Sequence, residues 1–309
     1  MTLTSSDPPL VYIVILNWNG WRDTLHCLET LHTLDYPRYA IVVVDNGSTD
    51  GSEQRIREAH PELQLIQTGA NLGFAGGSNI GIRHALHHRA HYVWLLNNDT
   101  EVPSDCLTAM VSLMERVPAL GILGPSVYNP ATGEAEPVSA FPPGLQRPSP
   151  AAARRELAPC LPNLDLNDTA PGCCTLVRRE VLGQLGGYDE RYFHFFEDTD
   201  LCWRAWAAGW LVARANSCRI YHKYAASTNA SRPLVLYYML RNILLFSSRV
   251  IGDPVSVVML RRPLLWMWAL GPLFGLRSFR HPSVKLAVLR ALVHAVRGRE
   301  GRCSTYSPP

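Results

Sequence analysis

Three apolar runs in this sequence end in the same way. Val93-Trp94-Leu95-Leu96 runs into Asn97-Asn98-Asp99-Thr100, and Tyr12-Ile13-Val14-Ile15-Leu16 into Asn17-Trp18-Asn19-Gly20. Ala40-Ile41-Val42-Val43-Val44 runs into Asp45-Asn46-Gly47-Ser48-Thr49-Asp50-Gly51. Continuous, largely β-branched runs mark parallel strands buried on both faces. The interior of such a strand has no use for amides and carboxylates, because each desolvated polar group needs a partner. At the carboxyl end of a strand in an open α/β sheet, the same residues face the crevice where ligands bind. A single polar tip is equally well a strand-to-loop turn; three at one structural position point to a nucleotide-type site.

The segments between the runs alternate in period. Trp21 to Leu34 carries Leu25, Leu28, Leu31 and Leu34 in a helical stripe that ends before Pro37. Ser52 to His60 reads as a second helix stopped by Pro61, Leu63 to Ile66 as a short third strand, and Gly81 to His88 as a third helix. Strand and helix in alternation predict a doubly wound, mostly parallel α/β sheet with right-handed crossovers. Asn71-Leu72-Gly73-Phe74-Ala75-Gly76-Gly77-Ser78-Asn79 follows the third strand and opens a helix. Its glycines permit close approach of a ligand to the backbone, and a helix amino terminus attracts phosphate or hydroxyl groups; a flexible loop is the plainer alternative. No Gly-x-Gly-x-x-Gly follows the first strand and no Gly-Lys-Ser/Thr occurs, so neither a dinucleotide fingerprint nor a phosphate loop is present.

Composition sets limits. A chain of 309 residues with 47% hydrophobic content can bury one large core and carry a smaller appendage. The net charge of +3 is too mild to imply nucleic acid. Eight cysteines without a Cys-x-x-Cys, two of them adjacent at Cys173-Cys174, read as reduced thiols rather than a zinc site. The polar amino terminus carries no signal-peptide pattern, which leads us to expect a cytoplasmic protein. Glu134 to Asn167, rich in Pro, Ala and Arg and without periodicity, reads as a long surface excursion that orders over a ligand.

A second polar cluster follows that excursion. Gly172 to Arg179 reads as a short strand turning into a helix that ends near Gly186-Gly187. Tyr192-Phe193-His194-Phe195-Phe196 then leads directly into Glu197-Asp198-Thr199-Asp200, ahead of a helix expected over Asp200 to Ala208. Carboxylates at a helix start often only cap it. Beside an aromatic wall, a carboxylate is also set up as a general base, its pKa raised by desolvation. His222 follows a strand read at Trp210 to Ala213 and a turn; it is either structural or a ligand.

Taken together, these motifs resemble the family 2 inverting glycosyltransferases, and within them the bacterial rhamnosyltransferase-like branch. The resemblance runs through Val14 to Gly20, Val44 to Asp50, Asn71 to Asn79, Leu96 to Asp99, Gly187 to Asp189 and Phe196 to Arg204, and is completed by His222 and Tyr238-x-x-Arg241-Asn242. It implies a GT-A fold over residues 1–232, with 233–309 as a C-terminal helical extension. It implies a nucleotide-sugar donor, dTDP-rhamnose or a UDP-sugar, held by Asn17, Asp45, Asn71, Gly73, Asn79, Asn97 and Asn98, with Asp45 reading the pyrimidine imide. Asp99 would hold Mg²⁺ or Mn²⁺ on the diphosphate with His222 as a further ligand, and Asp198, flanked by Glu197, would be the base that activates a hydroxyl of a glycan or lipid-linked acceptor. Asn97 departs from the more usual Asp. The competing readings are a sugar-nucleotide pyrophosphorylase, whose glycine-rich phosphate loop after the first strand is lacking, and an inactive glycan-binding module.

In the tail, Leu234 to Val250 reads as an amphipathic helix. Pro263 to Leu276 is apolar but only fourteen residues long and broken by Gly271-Pro272, too short to span a bilayer. With Arg261-Arg262 before it and Arg277, Arg280 and Lys285 after it, it suits an interfacial segment on an anionic membrane surface, or equally a helical cap.

Overall fold

The computed structural model describes residues 7–137, 140–147, 163–223, 232–262 and 281–306. The polar-tipped runs form β1 (Val11–Asn17), β2 (Tyr39–Asp45) and β4 (Tyr92–Asn97), with β3 (Gln64–Gln67) beside β2. All four are parallel. The register places Asn17 opposite Asp45 and Leu16 opposite Asn97, so the three tips lie side by side at one sheet edge. The crossovers are α1 (Trp21–Leu31), α2 (Ser52–Ala59) and α3 (Gly73–His87).

Helix α3 begins at Gly73, eight residues before the start expected from its apolar stripe, so the glycine stretch is helical rather than a loop. The glycines remain because the helix lies against β1: a Cβ on Gly77 would come 2.5 Å from Leu16 Cδ1, and one on Gly81 2.2 Å from Val14 Cγ1. Close backbone approach outweighs the roughly 1 kcal/mol helix penalty of each glycine.

Past β4 come β5 (Thr100–Glu101), α4 (Cys106–Arg116), β6 (Leu120–Tyr128), β7 (Leu164–Leu166), β8 (Cys174–Arg178), α5 (Arg179–Leu185), α6 (Glu197–Ala207) and β9 (Leu211–His222). The described strands form one nine-stranded sheet, ordered β3-β2-β1-β4-β8-β6-β9-β5, with β7 on β9. β8 runs antiparallel between β4 and β6, which makes the sheet mixed but mostly parallel. The turn expected before His222 is absent: β9 is one long strand. Its register on β6 jumps from Pro125–Ala215 to Ser126–Arg219, so three extra residues are absorbed as a bulge. The strand then continues until His222 pairs with Thr100, next to the Asp99 tip.

The C-terminal part contains α7 (Arg232–Ile251), α8 (Val255–Arg261) and α9 (Pro282–Val296). Tyr237, Tyr238, Leu244, Val258, Ala291 and Ala295 build a second core there, while Phe246 of α7 belongs to the core under the sheet. Pro233–Ile251 is long and apolar enough to cross a membrane by composition, yet 61% of its most apolar window is buried inside the protein. The segment Pro263 to Leu276, with Arg277 and Arg280, lies outside the described residues. Cys27, Cys106, Cys173, Cys174, Cys202, Cys218 and Cys303 are all buried free thiols.

Candidate active site

A cleft of about 770 Å³ opens over the carboxyl ends of the parallel strands, within the range typical of small-molecule sites. Asn71, Gly73, Asn97, Asn98, Asp99, Glu197, Asp198 and His222 all line it. Asn17, Asp45 and Asn79 do not.

Asn17 and Asp45 form a fully buried layer beneath the cleft. Asn17 Nδ2 donates to Asp45 Oδ1 (3.2 Å), and Ser48 N–H and Oγ–H donate to the same oxygen. Gln67 Nε2 donates to Asp45 Oδ2 (3.0 Å). Asn98 Nδ2 donates to Gly20 O and Thr24 Oγ1, tying β4 to the start of α1. Asn71 Oδ1 accepts from Gly73 N–H (2.9 Å) and helps fix the start of α3. Both ends of the Asn79 amide bond the backbone of Tyr188 (2.8 Å each), which makes it a brace between α3 and the chain leading to the aromatic run rather than a ligand contact.

The Asp99 tip is organised for a cation. His222 Nε2 lies 3.1 Å from Asp99 Oδ1 and its Nδ1 3.2 Å from Glu136 Oε1, with both His222 and Asp99 buried. Burial opposes a charged imidazole, but hydrogen bonds to Asp99, Cys173 and Glu136 outweigh it and push the His222 pKa up to about 12, so a cation bound at Nε2 has to displace the proton held there. Asn97 Oδ1 is buried with no hydrogen-bond partner. Asp99, the imidazole and the orphaned amide oxygen are hard oxygen and nitrogen donors of the kind Mg²⁺ or Mn²⁺ prefer, while Glu136 holds the other ring nitrogen and orients it. The residues present fit a divalent metal. Cys173 is close enough to share a centre with Glu136 and His222, but burial pushes its thiol up, keeping it protonated and a poor ligand.

The cleft is also lined by Glu197 and Asp198, in the first turn of α6, which starts three residues before the expected Asp200. Asp198 Oδ1 accepts from Thr199 N–H (2.7 Å) and Thr199 Oγ–H (3.2 Å). Its Oδ2 sits over Gly172, where an added Cβ would come within 2.5 Å. Burial raises both pKa values, most strongly that of Glu197, whose Oε2 is buried without a partner. The Thr199 donors pull Asp198 back towards ionisation, and its charge in turn favours the neutral form of Glu197. Asp200 is turned away from the cleft: it pairs with Arg204 (2.6 Å), whose guanidinium also donates to Leu185 O and Gly187 O.

The family model described as glycosyl transferase family 2 matches residues 12–186, more than half of the chain. The chain belongs to glycosyl transferase family 2. Among curated relatives, an N-acetylglucosaminyl-diphospho-decaprenol L-rhamnosyltransferase of Mycobacterium tuberculosis is 32% identical over 209 residues, covering 61% of this chain and 68% of that one. A dTDP-rhamnosyl transferase, RfbF, of Shigella flexneri is 24% identical over 243 residues, 76% and 79% of the two chains. Among solved structures, Staphylococcus aureus TarS 1-349 superposes with a TM-score of 0.59 at 16% identity (94% of this chain, 82% of that one). A Pyrobaculum calidifontis mannosyltransferase solved with GDP-Man and Mn²⁺ gives 0.57 at 17% (95% and 88%). The fold is that of these GT-A glycosyltransferases.

In this family 2 chain the aromatic run is a held loop. Phe193, Phe195 and Phe196 have φ of +66°, +65° and +72°, costing about 1–3 kcal/mol each. Asn242 of α7 holds them: its Nδ2 donates to Tyr192 O (3.0 Å), His194 O and Phe195 O (2.8 Å each). Arg241 Nη2 adds a bond to Tyr192 O (2.9 Å). The carbonyl of Phe193 in turn reaches α3, where a Cβ on Gly73 would lie 2.4 Å from it. Asn242→Ala should lower turnover at least about tenfold with donor affinity little changed, and cost about 1–3 kcal/mol in stability as the carbonyls lose their donor. Unchanged turnover in a folded Asn242→Ala protein would leave the loop without this support. Two contributors escaped the sequence. Glu136 sits in the aperiodic excursion, where no spacing marks it. Asn46, which donates to Gly73 O and accepts from Leu72 N–H, was passed over beside Asp45.

Proposed function

We propose that this glycosyltransferase inverts configuration as it moves a 6-deoxyhexose such as L-rhamnose from a pyrimidine nucleoside diphosphate to a hydroxyl of a lipid-linked or glycan acceptor in cell-surface polysaccharide synthesis. The observation that supports it is one cleft lined both by the Asp99–His222 pair and by the buried carboxylate of Asp198. The names of the M. tuberculosis and S. flexneri relatives support the sugar, and the first also supports a diphosphate-linked polyprenol acceptor.

The Asp198 carboxylate takes the proton from the acceptor hydroxyl. The oxygen attacks the anomeric carbon as the bond to the diphosphate oxygen breaks on the opposite face, and the single displacement inverts the centre. A divalent metal held by Asp99 and His222, with Asn97 Oδ1 in reach, would offset charge growing on the leaving diphosphate. A polyprenol acceptor places the working enzyme at the cytoplasmic membrane face. A pyrophosphorylase would instead cradle phosphate just after β1, where this chain turns directly into α1 through Asn17-Trp18-Asn19-Gly20.

The test is a panel of dTDP-rhamnose, UDP-GlcNAc, UDP-glucose and GDP-mannose with Mn²⁺ or Mg²⁺ and a polyprenyl-diphosphate-sugar acceptor. Release of dTDP should dominate, with an inverted anomeric signal in the product by NMR. Preferred turnover of another donor overturns the sugar assignment, and retained configuration overturns the mechanism.

A further inference from the structure

Helix α9 (Pro282–Val296) is apolar on two faces. Ala287, Val288, Ala291 and Ala295 are buried in the C-terminal core, where α9 packs on α7. Leu286, Leu289, Val293 and Val296 are exposed, Leu289 by 59% and Val296 by 52%. At 3.6 residues per turn these four fall within about 80° of one another, on the side of the helix that points away from that core. A single exposed leucine needs no explanation, because much of any protein surface is apolar. Four in one stripe, along a helix whose other face is already packed, make a second apolar face open to solvent.

The charges beside the stripe decide what fits it. Lys285 borders it on one side and Arg297 on the other; both are exposed, and neither is in an ion pair with a described residue. No Asp or Glu occurs between Asp253 and Glu300. The stripe's spacing of three, four and three is also that of a coiled-coil seam, so a second copy of the chain is the rival occupant. In such a pair the bordering positions meet one another and call for opposite charges. This helix offers Lys285 and Arg297 there and no acid. An anionic surface meets the same positions with complementary charge.

We propose that α9 docks on an anionic lipid surface, its stripe from Leu286 to Val296 seated at the boundary of headgroups and acyl chains and Lys285 and Arg297 on the headgroup phosphates. Amphipathic helices with basic borders lie in the interface plane in this way, held by buried apolar area and by charge together. The long stems of Lys285 and Arg297 follow the apolar boundary while their charges reach the phosphates. None of these residues lines the active-site cleft, so docking uses none of its groups.

The test is co-sedimentation of the full chain, without sugar nucleotide, with vesicles of phosphatidylcholine alone or mixed with phosphatidylglycerol. Capture on the phosphatidylglycerol vesicles is expected, weak on phosphatidylcholine alone and falling as NaCl rises. Leu289→Gln/Val293→Gln should lower capture at least about tenfold. Lys285→Gln/Arg297→Gln should lower it about fivefold per charge. All four side chains are exposed, and a circular-dichroism melt matching the wild type reports that each variant is folded. The single change Leu289→Gln serves if a double variant does not fold. No capture of the wild type, or equal capture of Leu289→Gln/Val293→Gln, overturns the proposal. So does self-association that rises with concentration and is lost in that variant, which assigns the stripe to a second copy. Because neither donor nor acceptor takes part, a different sugar preference in the cleft leaves the result standing.

Discussion

Asp198→Asn should cut turnover by about 10²–10⁴-fold while nucleotide-sugar affinity stays close to that of the wild type. The asparagine preserves shape and the bond from Thr199 N–H, but cannot take a proton. The donor contacts proposed above, by contrast, lie at the β4 tip and Asp99. Glu197→Gln should cost far less, because burial and the Asp198 charge both raise the Glu197 pKa and favour the neutral form that Gln mimics. Asp200→Asn should lower stability and leave the activity of the folded fraction intact, since its partner is Arg204. The pH profile follows from the sign of the shift. Burial raises the Asp198 pKa, and the base works only when ionised, so turnover falls with falling pH through that raised value. The acid limb should therefore lie above the pH of about 4 at which a free aspartate titrates. Full activity in Asp198→Asn, or loss of donor binding and turnover together, would place the base elsewhere.

Asp99→Ala should remove metal-dependent turnover altogether, a loss of at least about 10³-fold if the cation supplies several kcal/mol of charge stabilisation. Thermal stabilisation by dTDP, which Mn²⁺ should enhance in the wild type, should become independent of Mn²⁺ in the variant. His222→Ala should be the milder change, since Asp99 and Asn97 Oδ1 remain. Near-normal turnover by Asp99→Ala would sink the assignment of the metal to this tip.

Much of this was legible before the fold. The strand tips announced themselves because buried parallel strands impose continuous apolar runs, and any polar residue ending them must face outward or be satisfied. What alternation of strand and helix could not convey was depth. Asn17 and Asp45 sit one layer below the ligand surface, bonded to Ser48 and Gln67, and nothing local in sequence tells a tip that lines a cleft from one that underpins it. Helix α3 was misplaced because its glycines answer to Val14 and Leu16 on a neighbouring strand, a tertiary demand that overrides propensity. Asn79 looked like part of a ligand loop for the same reason. The start of α6 was set too late because three residues of positive φ, held from α7, turn the chain abruptly into helix at Glu197. Glu136 reaches His222 from an aperiodic segment, and only the fold could put them together.

The clamp on the aromatic run also fixes an order of events during synthesis. Glu197 and Asp198 leave the ribosome well before Asn242, whose amide serves the carbonyls of Tyr192, His194 and Phe195. Arg241 reaches still further along, to the carbonyl of Gly301, whose own N–H bonds Arg191 O. A nascent chain that already carries every strand of the sheet still lacks the donors that hold its base-bearing turn. The turn that carries Asp198 is therefore held in place only once Asn242 and Gly301 have been made.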